Sequence, residues 1–319
     1  MALLLTEADV EALLRMEDVI ASVEAAFAAQ GRGEAQSQPR SRVRTPNLTL
    51  HVMSAALPSA GVLGLKAYAS GKPGSRFVVL AWSTETGRLE GVIEADRLGQ
   101  VRTGAASGVA TKFMAGPQAR TVGCIGTGRQ AGSQLEAVCA VRPVDRIAVY
   151  GRDERRRAAF AAAMAERLGV GVKPASSPEE AVREAEIVIT ITTSREPVLF
   201  GRWLRPGTHI NAAGVNWANK RELDDEAVRR ADRIVVDDRT QAAIECGDLI
   251  PLVEGGSLSW EQVHELGAVV SGRVPGRDGA DEITLFESQG VALEDMAAAA
   301  LLIQRARAAG VGQEIPIGG

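Results

Sequence analysis

The chain has 319 residues, 45% of them hydrophobic and 24% charged, with a formal net charge of −4. That length buries a sizeable core, most simply as two domains, and the slight acidity excludes a nucleic-acid surface or an anionic membrane as the main partner. Cys124, Cys139 and Cys246 form neither a CxxC pair nor an even-numbered framework, as expected of a reduced, cytoplasmic chain.

The first residues are apolar, but Glu7, Asp9 and Glu11 follow at once, which a signal peptide does not tolerate. No stretch approaches the roughly 20 apolar residues that span a bilayer. Thr6 with Asp9 three residues on predicts a capped helix, and a second helix is expected over 16–30. Residues 38–53 alternate as a strand does. Further strands are expected over 64–68, 77–83 and 89–94, the last two joined by a turn at Thr84-Glu-Thr-Gly87. A helix rich in small residues, 97–114, runs to Gly116-Pro117, the expected domain boundary.

From there strands and helices alternate. Strand 121–125 precedes helix 129–141, strand 146–150 precedes helix 153–168, and strand 171–173 precedes helix 177–184. Strands 187–191, 209–213 and 234–237 follow, with a helix from Asp224 between the last two. This order predicts an α/β fold with a Rossmann-type doubly wound parallel sheet. The expected domains are 1–117 plus 298–319, an α+β unit, and 118–297, the dinucleotide-binding unit. The last helix, 293–309, has an apolar face (Met296, Ala300, Leu302) that should return to the first domain or cross a subunit interface.

Thr121-Val-Gly-Cys-Ile-Gly126-Thr-Gly128-Arg-Gln-Ala131 runs from a buried strand into Gly-x-Gly-x-x-Ala and then a helix. Gly126 permits the tight turn, Gly128 lets backbone approach a pyrophosphate, and Ala131 permits close helix packing. The helix N-terminus offers free N–H groups to the phosphates. Gly126, Thr127, Gly128, Arg129 and Gln130 are therefore the candidate cofactor cradle. Where an NAD-preferring site carries an acid at the tip of the second strand, this chain reads Tyr150-Gly151-Arg152-Asp153. Arg152 suits a 2′-phosphate, so NADP(H) is favoured; if Asp153 binds the ribose instead, NAD(H) is the cofactor. Thr192 and Thr193 are expected on the nicotinamide side. His51, His209 and His264 are scattered, and no metal site is expected.

Arg40, Arg42 and Arg44 alternate along one strand face. Lys66 lies inside an apolar strand, where a cation is costly unless paired, and Arg102 sits among small helical residues. Cations converging from separate elements suit the carboxylate of a small amino or imino acid.

Six ordered motifs now carry a resemblance: Met53-Ser-Ala-Ala, Gly64-Leu-Lys66, Arg102-Thr103-Gly-Ala-Ala, Gly126-x-Gly128, Gly214-Val-Asn216-Trp-Ala-Asn-Lys-Arg-Glu222-Leu-Asp, and Glu282-Ile-Thr-Leu-Phe-Glu-Ser288-Gln-Gly290. Together they resemble the ornithine cyclodeaminase/μ-crystallin family over nearly the whole chain. The resemblance implies a homodimer with a Rossmann domain and a separate dimerisation and substrate domain. It implies that Arg42 (or Arg40 or Arg44), Lys66 and Arg102 bind the substrate carboxylate and that Thr103 touches the cofactor phosphate. Two positions depart from the cyclodeaminases. His51 stands where they carry an acid two places before the methionine, and Asn216 stands where they carry Asp. Cyclodeamination needs a carboxylate for the distal ammonium, so the expectation is an NADPH-dependent imine reductase or amino-acid dehydrogenase acting on a small 2-imino or 2-oxo acid. Lys66, then His51, are the candidates for supplying the proton. Asn216 is expected to bond the substrate nitrogen or the nicotinamide amide, or to cap its loop. The alternatives are an NAD-dependent cyclodeaminase of ornithine or lysine, and a crystallin-like protein that binds NADPH and a small ligand without turnover.

Overall fold

A computed structural model of the chain describes residues 1–71 and 74–317; Gly318 and Gly319, at the end of the expected 298–319 segment, lie outside them. The chain forms two compact units, Met1–Arg102 with Val291–Gly319, and Thr103–Gly290. The division falls at 102/103 inside a continuous helix, because the second half of that helix packs on the Rossmann unit while its first half carries residues of the other.

In the first unit β1 (Ala2–Leu5) leads into α1 (Glu7–Leu13) and α2 (Met16–Gly31). The Thr6 hydroxyl accepts from the Asp9 N–H and Asp9 accepts from the Thr6 N–H, the capping arrangement the sequence calls for. Then come β2 (Gln36–Arg44), β3 (Leu48–Leu57), β4 (Val62–Gly71), β5 (Gly74–Ser83), β6 (Leu89–Glu94) and the first turns of α3 (Asp96–Met114).

The expected strand over 38–53 is two strands, because the turn at Thr45-Pro46-Asn47 reverses the chain and sets Arg42 opposite His51. A bulge between Gln38 and Ser41 shifts that pairing.

The second unit holds β7 (Thr121–Ile125), α4 (Ala131–Val141), β8 (Arg146–Tyr150), α5 (Glu154–Leu168), β9 (Gly171–Pro174) and α6 (Pro178–Val182). It continues with β10 (Ile187–Thr190), β11 (His209–Ala212), α7 (Asp225–Arg229), β12 (Arg233–Val236), α8 (Arg239–Glu245) and α9 (Ile250–Glu254). It closes with β13 (Val263–Glu265), α10 (Leu266–Val270) and β14 (Thr284–Glu287). The chain then returns to the first unit as α11 (Ala292–Ala309) and β15 (Gln313–Ile315).

The first unit's sheet runs β15-β1-β6-β5-β4-β3-β2, antiparallel except for the parallel β1–β6 pair. Helix α11 lies against it and against α2, so the last helix does return to the first domain.

The second unit's sheet is parallel throughout, in the order β13-β12-β14-β11-β10-β7-β8-β9. Within it β7 to β11 follow the 3-2-1-4-5 order of a doubly wound Rossmann sheet, with the switch point between β7 and β10. Ile187 and Ile189 feed the core under α4 and α5, while Val188 between them feeds the core on the other face. Both faces are covered, which is why these strands are apolar without alternation. No helix among the described residues is long and apolar enough to cross a membrane.

Candidate active site

In the second unit, the turn after β7 has the geometry a dinucleotide needs. Gly126 has φ +123°, and a Cβ there would lie 2.3 Å from the Ile191 carbonyl oxygen, so the turn is pressed against the end of β10. A Cβ on Gly128 would meet nothing within 4 Å. That open space lies just ahead of α4, whose N-terminus has no side-chain cap, leaving its N–H groups for a phosphate. Gly126, Thr127, Gly128, Arg129 and Gln130 are thus the residues that could hold a pyrophosphate. Thr103 opens this unit, and its carbonyl oxygen accepts from Gln134 Nε2 on the first turn of α4.

At the tip of β8, Arg152 is exposed, whereas the Asp153 carboxylate caps α5 by accepting from the Arg156 N–H at 2.9 Å. Arg157, on the first turn of α5, donates to the Gly151 carbonyl and lies over the Tyr150 ring. Gly151 leaves room for the Thr127 side chain, since a Cβ would stand 2.3 Å from Thr127 Oγ1.

Thr192 is half-buried, Thr193 is exposed, and half-buried Asn216 lies in the loop after β11. A fully buried carboxylate from the late motif, Glu222, organises both loops. It accepts from Thr190 Oγ1 (3.0 Å), the Thr192 N–H (2.6 Å) and the Gly214 N–H (2.8 Å). Burial pushes its carboxyl up to about 7, and Asp248 in turn accepts from the Glu222 and Leu223 N–H groups. The motif signalled Glu222, but a positioning role is not visible in a string of residues.

The first unit gathers the charges. Arg40, His51, Lys66 and Arg102 are all buried, Arg42 is half-buried and Arg44 is exposed. Lys66 has its head neither in water nor alone: Nζ donates to Asp295 Oδ1 at 2.9 Å. Arg102 pairs with Glu294 Oε2 at 2.7 Å and, through Nε, with the same Asp295 Oδ1 at 2.9 Å. Glu294 and Asp295 are fully buried in the first turn of α11. They are the residues the sequence reading missed. The signal was two adjacent acids at the start of a helix otherwise read for its apolar face.

Burial and the Arg102 guanidinium push the Lys66 ammonium down to about 8, against the pull of Asp295. Burial holds the Glu294 carboxyl above its usual range. Gly99, one turn before Arg102, leaves room for the Lys66 head: a Cβ there would stand 2.9 Å from Nζ.

His51 and Tyr68 stack with ring centroids 4.2 Å apart, and Tyr68 continues to Phe77, over which Lys66 Nζ lies. His51 Nδ1 accepts from Arg42 Nε at 3.3 Å, and Nε2 faces Ser70 Oγ at 2.9 Å, which assigns the proton to Nε2. Burial and the nearby Arg42, Arg40 and Arg44 push the imidazole down to about 4, so it is neutral at physiological pH. Among the described residues, no group of His, Cys, Asp or Glu is arranged to hold a metal.

The chain is 38% identical over 246 residues to the Δ1-pyrroline-2-carboxylate reductase of Bacillus cereus, covering 77% of this chain and 75% of that protein. It is 35% identical over 321 residues to the alanine dehydrogenase of Archaeoglobus fulgidus, covering 98% of each.

Among solved structures, the Thermococcus litoralis Δ1-pyrroline-2-carboxylate reductase with NADH and L-proline superposes with a TM-score of 0.94 at 36% identity, covering 98% of this chain and 100% of that one. The iminosuccinate reductase of Paracoccus denitrificans with NAD+ gives 0.93 at 30%, covering 99% of each chain. A probable ornithine cyclodeaminase from Bordetella pertussis gives 0.92 at 32%, covering 98% of this chain and 100% of that one. The family model for the ornithine cyclodeaminase/mu-crystallin family matches residues 1–310, and the chain belongs to that family.

Proposed function

We propose that this chain is an NAD(P)H-dependent reductase of a small 2-imino acid, working as an amino-acid dehydrogenase in the reverse direction. The observation that carries the reading is the buried cluster of Lys66 and Arg102 on Glu294 and Asp295, with buried Arg40 close enough to act on Lys66. Its relatives include reductases of pyrroline-2-carboxylate and of iminosuccinate, both C=N substrates.

In this reading Arg42, Lys66 and Arg102 fix the substrate carboxylate, which orients the adjacent C=N carbon. The Gly126–Gln130 turn would hold a nicotinamide cofactor, whose chemistry would be to provide the hydride for such a reduction. The C=N π pair becomes a lone pair on nitrogen, and one proton completes the amine. Lys66, held at about 8, carries that proton at neutral pH and can release it. His51, held at about 4, has none to give and instead orients Arg42. Asn216 is assigned a hydrogen bond to the nicotinamide amide or the substrate nitrogen.

NADP(H) is the proposed cofactor because Arg152 is exposed at the β8 tip while Asp153 is engaged as a helix cap. The Thermococcus litoralis and Paracoccus denitrificans structures carry NADH and NAD+, so this is where the chain is expected to differ. A homodimer belongs to the same reading, supported by exposed Val43, Leu48 and Leu50 on the β2–β3 hairpin.

The test is cofactor oxidation, with NADPH and with NADH, against 2-oxo acids with ammonia or methylamine and against preformed cyclic imines. Oxidation that requires the amine or imine supports the proposal. No oxidation across that panel, with ammonia released from ornithine, would instead make the chain a cyclodeaminase.

A further inference from the structure

Asp295 is loaded on one oxygen alone. Oδ1 accepts from Lys66 Nζ and forms an ion pair with Arg102 Nε, each at 2.9 Å, while the buried Oδ2 has no hydrogen-bond partner among the described residues. Lys66 is the mirror case. An ammonium has three donors, and Nζ bonds only to Asp295 among the described residues. An open acceptor and open donors therefore stand side by side in the buried cluster, where an unmet polar atom is costly.

A 2-imino acid presents the complementary pair on adjacent atoms, a carboxylate that accepts and an N–H that donates. We propose, resting on the reductase reading above, that Asp295 is a substrate-binding residue whose Oδ2 receives the N–H of the imino acid while Lys66 holds its carboxylate.

The consequence is a choice of substrate form. A protonated C=N–H+ gains a charge-assisted hydrogen bond from Asp295. A 2-oxo acid offers only a carbonyl oxygen, which the carboxylate repels. A site built for an N–H rejects the analogue that lacks one, so reduction of imines is favoured over reduction of the parent ketones to hydroxy acids. For the protonated C=N–H+ the step needs no further proton: hydride reaches carbon, the C=N pair moves onto nitrogen, which keeps its N–H on Asp295, and the Lys66 proton is called on only by substrate that arrives as the neutral imine.

The experiment is calorimetric titration of the enzyme with NAD(P)H present, because reduced cofactor and amino acid form a complex with no hydride acceptor, so that binding is read without turnover. Each ligand pair is an amino acid and its nitrogen-free counterpart: L-proline and cyclopentanecarboxylate, L-alanine and propionate, L-aspartate and succinate. The pair that decides is the one whose amino acid the enzyme forms.

Wild type is expected to bind that amino acid about tenfold or more tightly than its counterpart, the ratio one charge-assisted bond supplies. Asp295→Asn should cut the ratio to less than about threefold, whereas Glu294→Gln, whose carboxylate faces Arg102, should weaken both ligands alike. Equal binding of the pair by wild type overturns the proposal and leaves an ordered water on Oδ2. So does an undiminished preference in Asp295→Asn. The wild-type comparison needs no variant, so misfolding of Asp295→Asn leaves the proposal testable. Failure of the reductase reading is seen separately, as no cofactor oxidation with any imine.

Discussion

In the glycine turn the residues that matter stand between 126 and 131, whereas the cation cluster joins Lys66 to Asp295 across 229 positions and Arg102 to Glu294 across 192. The turn depends on backbone shape, and each glycine in it can fail alone. The cluster depends on charge balance: removing Arg102 strands Glu294, and removing Asp295 strands Lys66. The two regions should therefore respond to substitution in different ways.

The largest effect is expected in the cluster. Arg102→Met strands Glu294 and leaves Asp295 with Lys66 alone, and removing one partner of a buried pair costs about 3–5 kcal/mol. Urea denaturation reads it directly. A loss below about 1 kcal/mol would mean that these carboxylates do not rely on Arg102.

In the turn, two glycines two residues apart should separate. Gly126→Ala forces a side chain onto φ +123° and within 2.3 Å of the Ile191 carbonyl, costing on the order of 1–3 kcal/mol. Gly128→Ala meets open space, so stability should hold within about 0.5 kcal/mol. Its cofactor affinity should still fall about tenfold as the methyl stands where phosphate approaches. Thermal melts alongside cofactor titration check both, and equal behaviour of the two variants would remove the local account of the turn.

How much of this was legible in the sequence follows the same division. Gly126, Gly128 and the Thr6–Asp9 cap were legible because each is a local rule acting over a few residues. Lys66 could be singled out because a cation in an apolar strand needs a partner. The identity of that partner, Asp295, could not, since sequence spacing does not say which distant helix comes to rest on β4. The single strand expected over 38–53 failed for a related reason. The alternation continues in both arms, and only Thr45-Pro46-Asn47 marks the reversal. The four residues of β1 were missed because they are too few to show a period.

Glu222 lies between the two cases: it acts within the Rossmann unit but through loops after two strands. Its carboxyl is raised from 4.5 to about 7, so the folded chain keeps a proton that the unfolded chain releases. This contribution to stability is complete below about pH 4.5 and is lost as pH rises through about 7. Glu222→Gln should cost about 1–3 kcal/mol at pH 5 by disturbing three hydrogen bonds. It should cost less at pH 8, where wild type alone carries the buried charge. A cost that grows with pH contradicts the assignment.

The smallest effect is expected at the surface. Arg152→Ala should lower the NADPH-to-NADH preference by several-fold to about tenfold without changing the melting temperature. An unchanged ratio transfers cofactor choice to another residue.

The central claim is that the cluster around Lys66 handles the substrate while the glycine turn handles the cofactor. Lys66→Met tests it most directly, with cofactor binding followed by fluorescence titration and imine reduction followed by cofactor oxidation on the same folded sample. The account predicts unchanged cofactor affinity and reduction slowed by about 100-fold or more. Reduction at the wild-type rate, or loss of cofactor binding in step with turnover, would contradict it.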